Sequence, residues 1–334
     1  MRRGLLALLI TALAFAAVPA DNSFRFVILG DRTGGAQAGV FEQVLREASA
    51  ENPAFVLATG DLIEGLDDEQ TAAEWRDFER IMAAYTRFPF YVAPGNHDVW
   101  SARSEALFRK YTGRPLHYSF DYGSAHFTIL DNSRSDEMPA AELAFLEEDL
   151  KVHRAQPLKF IISHRPSWVL PVALRNADFP LHQIARRYGV QYVIAGHVHQ
   201  MFRLELDGVT YISMASAGGH LRASAEYDKG WFFGHGLVTV RGSEVGFRIE
   251  EARAPHGLAR ATELADWGML GLERRPKRPL GRSSSEVKVR RNVADQRAEP
   301  FDEFGGHVVA PGRHPFGGEW AFDAGDLFER HGFH

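Results

Sequence analysis

Two histidines stand two residues apart in Ala195-Gly196-His197-Val198-His199. In an extended segment residues i and i+2 point to one side, so His197 and His199 can face a common centre. A second cluster, Gly95-Asn96-His97-Asp98, presents an amide, an imidazole and a carboxylate in succession after a glycine that permits a tight turn. Three more apolar runs end the same way, in Gly30-Asp31, in Gly60-Asp61 and in Ser163-His164. Each cluster alone is weak: an Asp after Gly serves as often in a turn or helix cap, and a single His is more often a hydrogen-bonded core residue. Five strand-like runs that each exit into Asp, Asn or His argue together for one metal site. The chain has no cysteine, which leaves oxygen and nitrogen ligands and excludes disulfides. Such a set suits two divalent ions, Mn, Fe, Zn or Co rather than Ca. A shared carboxylate would lower their mutual repulsion, and a bridging water would lose a proton near neutral pH to become a nucleophile.

The elements that must position these groups alternate strand-like and amphipathic segments, which argues for a layered α/β domain. Phe24 to Asp31 reads as a strand, followed by a helix with Val40, Phe41, Val44, Leu45 and Ala48 on one face. Strands over Ala54 to Asp61 and Arg87 to Asp98 flank a helix over 72–84. Residues 116–131 read as a hairpin closed at Tyr122-Gly123-Ser124. A helix over 138–153 and two strands around a short helix at 180–189 follow, then hairpins at Asp207-Gly208 and Arg241-Gly242. This order implies two packed sheets flanked by helices. Residues 99–109 and 167–179 are expected as loops that wall the pocket, and His117 and His126 as structural residues of the hairpin.

The first twenty residues carry two arginines, an apolar run and Val18-Pro19-Ala20, the pattern of an export signal cleaved after Ala20. The run is short for a membrane-spanning helix, so a periplasmic or extracellular location without a span after signal removal is expected. The catalytic domain is expected over 21–252 and a C-terminal extension over 253–334. Between Arg274 and Arg291 eight Lys or Arg face one acid, Glu286, a linker composition. A formal net charge of -5 gives no reason to expect specific nucleic-acid binding.

The ordered set Asp31, Gly60-Asp61, Gly95-Asn96-His97-Asp98, His164 and Gly196-His197-Val198-His199 resembles the calcineurin-like metallophosphoesterases, whose motifs run D-x-H, G-D, G-N-H-D/E, H and G-H-x-H. The resemblance spans about Phe24 to Ala252 and implies a four-layer α/β/β/α sandwich of two mixed sheets flanked by helices, with the site at strand ends. It implies that Asp61 bridges two metals, that Asp31 and His199 serve the first, and that Asn96, His164 and His197 serve the second. His97 would protonate the leaving oxygen or contact the phosphate, with Asp98 holding or polarising it. Arg32 and Arg165, beside ligand positions, would contact the phosphate or form local ion pairs. The expected function is hydrolysis of a phosphomonoester or phosphodiester, of small or polymeric substrate. The alternative is a cell-envelope binding protein that keeps the fold with weakened turnover.

The chain departs from the family at its first motif, where Thr33 stands in place of a histidine. The Thr33 hydroxyl would join the turn while water completes the first metal. Glu64, three residues after Asp61, has three readings: an orienter of His97, as a carboxylate there is in the serine/threonine phosphatases; a first-metal ligand, as a tyrosine there is in the purple acid phosphatases; or an exposed loop carboxylate.

Overall fold

The structure is a computed structural model and describes residues 23–221, 227–252, 261–264 and 267. The export signal at 1–20, the basic run at 274–291 and the C-terminal tail lie outside the described residues. Two six-stranded mixed sheets pack face to face. One has the order β12-β11-β10-β1-β2-β3, built from β1 (Ser23–Leu29), β2 (Phe55–Ala58), β3 (Phe90–Val92), β10 (Gly234–Arg241), β11 (Glu244–Glu251) and β12 (Ala261–Glu263). The other has the order β4-β5-β6-β7-β9-β8, from β4 (Tyr118–Tyr122), β5 (Ala125–Ile129), β6 (Leu158–Ile162), β7 (Tyr192–Ala195), β8 (Phe202–Leu206) and β9 (Val209–Ser213).

Strand β1 shows why the sandwich forms. Its side chains alternate, so Phe26 and Ile28 enter the core between the sheets while Val27 and Leu29 enter the core under the helices. Between the sheets Phe26 stacks on Phe55 at 4.9 Å and meets Phe127 and Phe160 edge-on at 5.2 and 5.6 Å. On the outer face α1 (Val40–Ala50) buries the five residues that its periodicity marks, and α2 (Thr71–Met82) adds Trp75 and Phe78. Residues 102–109, expected within a loop, belong to α3 (Ala102–Thr112). Ser101 and Ser104 close a reciprocal cap at its start, and Gly113 ends it in the left-handed conformation. The second sheet carries α4 (Ala140–Val152), α5 (Val169–Ala173) and α6 (Pro180–Tyr188). The hairpin turns fall where glycine predicts them, one residue later at Gly242. Strand β12 pairs with β11 beyond the boundary that the sequence pattern marks at 252, and Trp267 joins the core between the sheets. Among the described residues no helix is long and apolar enough to cross a membrane.

A polar staple joins α4 to β4 and β5. The nearly buried Asp149 carboxylate accepts from Ser119 Oγ at 2.6 Å, Thr128 Oγ1 at 2.7 Å and His126 Nε2 at 2.9 Å. His126 Nδ1 faces Asp121 at 2.7 Å, so both ring nitrogens donate and the ring is an imidazolium. Burial pulls the His126 pKa down, but the bonds to Asp149 and Asp121 outweigh it and hold it above the usual value of 6.5. The Asp149 pKa lies below its usual 3.8, because bonds from His126, Ser119 and Thr128 outweigh burial. The His126 contribution is therefore complete below pH 6.5 and lost as pH rises through the raised pKa, whereas that of Asp149 is complete above pH 3.8 and lost as pH falls through the lowered one. Asp149→Asn leaves a buried imidazolium short of a carboxylate and is expected to cost about 3–5 kcal/mol near pH 6. Urea unfolding checks this, and the deficit should shrink as pH rises through the raised His126 pKa.

Candidate metal centre

The five motif stretches follow the C-terminal ends of β1, β2, β3, β6 and β7, where the two sheets bring them together. His164, fully buried after β6, places Nδ1 2.9 Å from the Thr59 carbonyl. Nδ1 therefore carries the proton and Nε2 presents its lone pair inward. Around Nε2 stand Asn96 Oδ1 at 3.0 Å, His197 Nδ1 at 3.2 Å and Asp61 Oδ2 at 3.2 Å. Four donor atoms thus face one point, and Asp61, His164 and His197 form a cluster suited to a metal ion. Next to it His199 donates Nδ1–H to the His220 carbonyl at 2.7 Å and turns Nε2 to Asp31 Oδ2 at 3.2 Å. Asp31 also accepts the His197 main-chain N–H, at 2.8–2.9 Å, which ties the first motif to the last.

Backbone geometry agrees with a site built under constraint. Asp61, His197 and His199 all have positive φ, 55°, 70° and 58°, a region costly for residues with a Cβ. The glycines before the polar residues are required by close approach: a Cβ on Gly95 would lie 2.1 Å from Asp61 Oδ1, and one on Gly196 2.2 Å from Asp31 Oδ1.

Electrostatics point to bound positive charge. Burial works to lower the His164 pKa, but Asp61, by charge and hydrogen bond, raises it to about 9. Burial likewise works to raise Asp61, and His164 pulls it well below the carboxylate range. His197 is driven well below its usual value by burial, then by His164 and Arg165. His199 is raised: Asp31 outweighs burial. Inward lone pairs and carboxylate oxygens around one centre call for a cation, either a proton on His164 or a metal ion, and the donor set fits the metal.

Several expected side chains are elsewhere. Asp98 does not hold the His97 ring: its fully buried carboxylate accepts main-chain N–H groups of Asp61, Leu62, Ile63 and Gly95 at 2.7–3.3 Å and ties the second motif to the third. Burial and the Asp61 charge raise its pKa to about 7. Arg32 turns away from the site, onto the rings of Phe41 and Phe78 at 5.5 and 5.9 Å, and donates to the Leu62 carbonyl. Arg165 stays, with Nη1 3.4 Å from His197 Nε2 and 2.7 Å from Asp136. The buried Thr33 hydroxyl bonds the Asp61 carbonyl at 2.8 Å and contacts that of Ile63, so it belongs to the turn. His97 donates its main-chain N–H to Asp61 Oδ1 at 2.8 Å, and its Nδ1 faces the carbonyl of Glu64. The Glu64 carboxylate instead accepts the N–H groups of Gly35 and Ala36.

Asn132 went unread in the sequence. Its Oδ1 accepts the N–H groups of His164 and Arg165, each at 3.0 Å, and its Nδ2 donates to the Arg165 carbonyl at 2.8 Å. The signal was present, since Thr128-Ile129-Leu130 exits into Asp131-Asn132 as the other runs do.

Comparisons with known proteins agree with this geometry. The calcineurin-like phosphoesterase family matches residues 24–201. Purple acid phosphatase 23 of Arabidopsis thaliana is 27% identical over 180 residues, 46% of this chain and 39% of that protein. A 3',5'-cyclic-nucleotide phosphodiesterase of Nostoc is 28% identical over 171 residues, 48% of this chain and 62% of that protein. The chain thus spans less than two thirds of the length of these relatives. A purple acid phosphatase from yellow lupin (Lupinus luteus) seeds shares the fold with a TM-score of 0.53 at 16% identity, over 72% of this chain and 54% of that one. With more than half of its length matched and the motif residues gathered at the strand ends, the chain belongs to the calcineurin-like phosphoesterase family.

Proposed function

We propose that this chain is an exported, metal-dependent phosphoesterase that hydrolyses a phosphomonoester or phosphodiester. The observation that carries the reading is the convergence of Asp61 Oδ2, Asn96 Oδ1, His164 Nε2 and His197 Nδ1 on one point, with Asp31 and His199 beside them. Asn96, His164 and His197 would hold one divalent ion, Asp31 and His199 the other, and Asp61 both. When bound, such ions supply Lewis-acid stabilisation of phosphoryl charge and lower the pKa of water. The protein's own groups do the rest. The Thr59 and His220 carbonyls fix the tautomers of His164 and His199, so each presents Nε2. His97, anchored at Nδ1, has Nε2 left to protonate a leaving oxygen. Arg165, braced by Asp136, brings a guanidinium to the His197 edge, where it would neutralise a phosphate oxygen. The N-terminal sequence supports export. The relatives named above include a phosphatase and a cyclic-nucleotide phosphodiesterase, so either ester class is supported.

Nitrophenyl phosphate compared with bis-nitrophenyl phosphate, using the Mn-loaded chain, tests the reading and separates the two ester classes. Chelation is expected to abolish hydrolysis. Metal titration should show one tight and one weaker site, because Thr33 turns away and leaves the first ion only Asp31, Asp61 and His199. Full activity of metal-free protein would overturn the reading, as would the absence of turnover on both esters.

A further inference from the structure

We infer that Glu64 is a positioning residue: its carboxylate clamps the Gly34–Ala36 turn over the side of the site where the first motif lacks an imidazole, and its main chain orients His97. This rests on the phosphoesterase reading above. The carboxylate accepts Gly35 N–H at 3.1 Å and Ala36 N–H at 2.6 Å, one on each oxygen. The carbonyl of the same residue faces His97 Nδ1. Residue 64 cannot shift freely, because the next residue lies against the His97 backbone: a Cβ on Gly65 would fall 1.8 Å from the His97 carbonyl oxygen.

The clamped turn adjoins the reacting groups. A methyl group on Gly34 would stand 3.1 Å from His199 Cε1 and 3.7 Å from His97 Nε2, and Gly34 has a φ of 80°. Main chain therefore lies beside the edges of both imidazoles. The opposite side of the turn is held by His220, whose N–H donates to the Gly34 carbonyl at 3.1 Å and whose own carbonyl orients His199. Each clamp thus grips the turn and also fixes one imidazole, Glu64 for His97 and His220 for His199. Two adjacent glycines lose much backbone freedom on ordering and have no side chain to hold them, so the charge-assisted bonds from Glu64 set the position of the turn. In this arrangement each Glu64 carboxylate oxygen accepts a main-chain N–H of the turn, and the link to His97 runs through the Glu64 carbonyl.

Glu64→Gln tests the clamp. An amide has one acceptor oxygen and turns its NH₂ toward the second N–H, so it cannot hold both bonds. Expected results are faster hydrogen exchange at Gly35 and Ala36, unchanged metal content, and kcat lowered about ten- to a hundredfold with little change in KM. The Glu64 carbonyl that orients His97 persists in Glu64→Gln, so the loss should be similar for alkyl and nitrophenyl esters. Glu64→Asp, which keeps both acceptor oxygens, should recover part of the rate. Loss of a metal equivalent in Glu64→Gln would identify a ligand and overturn the inference, and so would unchanged exchange with unchanged kcat. If the wild type hydrolyses no ester, the phosphoesterase reading fails, while the exchange rates still decide whether the clamp exists.

Discussion

Asp61→Asn is expected to lower hydrolysis by about 10³-fold or more, because metal charge supplies several kcal/mol of transition-state stabilisation and each 1.36 kcal/mol is tenfold in rate. The substitution separates chemistry from folding. Asp61 Oδ1 accepts the His97 N–H at 2.8 Å and the Asp61 carbonyl accepts the Arg32 and Thr33 N–H groups at 3.1 Å, and asparagine retains all of these acceptors. What it loses is the negative charge that faces His164 and is placed to serve both ions. Metal binding should weaken at both sites, and excess Mn should restore only part of the rate. Calorimetric titration with metal-content analysis checks this. Two ions bound at wild-type affinity in Asp61→Asn would show that Asp61 does not bridge them.

The strand exits were readable because their signal is local. A short apolar run that ends in Asp, Asn or His is visible in Val27 to Asp31 as it is in Val193 to His199. The extended geometry expected at His197 and His199 is replaced by positive φ, 70° and 58°, beyond the end of β7, so residue type rather than period 2 carried the signal. The layers were also readable from local signals, the alternation in β1 and the helical face of α1. The misread positions depend on partners distant in sequence. Arg32 has a residue type suited to phosphate, but its direction is set by the Phe41 and Phe78 ring faces, which α1 and α2 bring beneath it. Asp98 reads as a partner for its neighbour His97, but a buried carboxylate beside four main-chain N–H groups is held by them.

A related limit applies to the orienters of the imidazoles. His164, His97 and His199 are held by the carbonyls of Thr59, Glu64 and His220, and main-chain acceptors have no residue-type signature. This explains the Glu64 result: its position meets His97, as one family reading implied, but through the carbonyl, and the carboxylate goes to the glycine turn. The substitution of Thr33 for histidine fits the same local rearrangement. With its hydroxyl on the Asp61 and Ile63 carbonyls, Thr33 points into the turn, and Thr33→His would remove both of those bonds along with the hydroxyl.

His97→Ala is the substitution that separates metal binding from proton transfer. The His97 main-chain N–H reaches Asp61 whatever the side chain, so the metal ligands should keep their places when the ring is removed. The ring is fixed at one nitrogen by the Glu64 carbonyl and has its Nε2 beside the Gly34 turn, 3.7 Å from where a methyl on Gly34 would stand. An imidazole anchored in this way can deliver a proton to a leaving oxygen without first paying for its orientation. Its loss is expected to lower kcat by about 10² to 10⁴-fold with both metals retained. The deficit should be greatest for alkyl phosphates, whose leaving oxygens need the proton, and smaller for nitrophenyl esters, which leave as stable anions. If the deficit is instead equal across leaving groups, His97 acts on the phosphate rather than on the departing oxygen. Loss of a metal ion in His97→Ala would remove it from both roles and place it among the ligands.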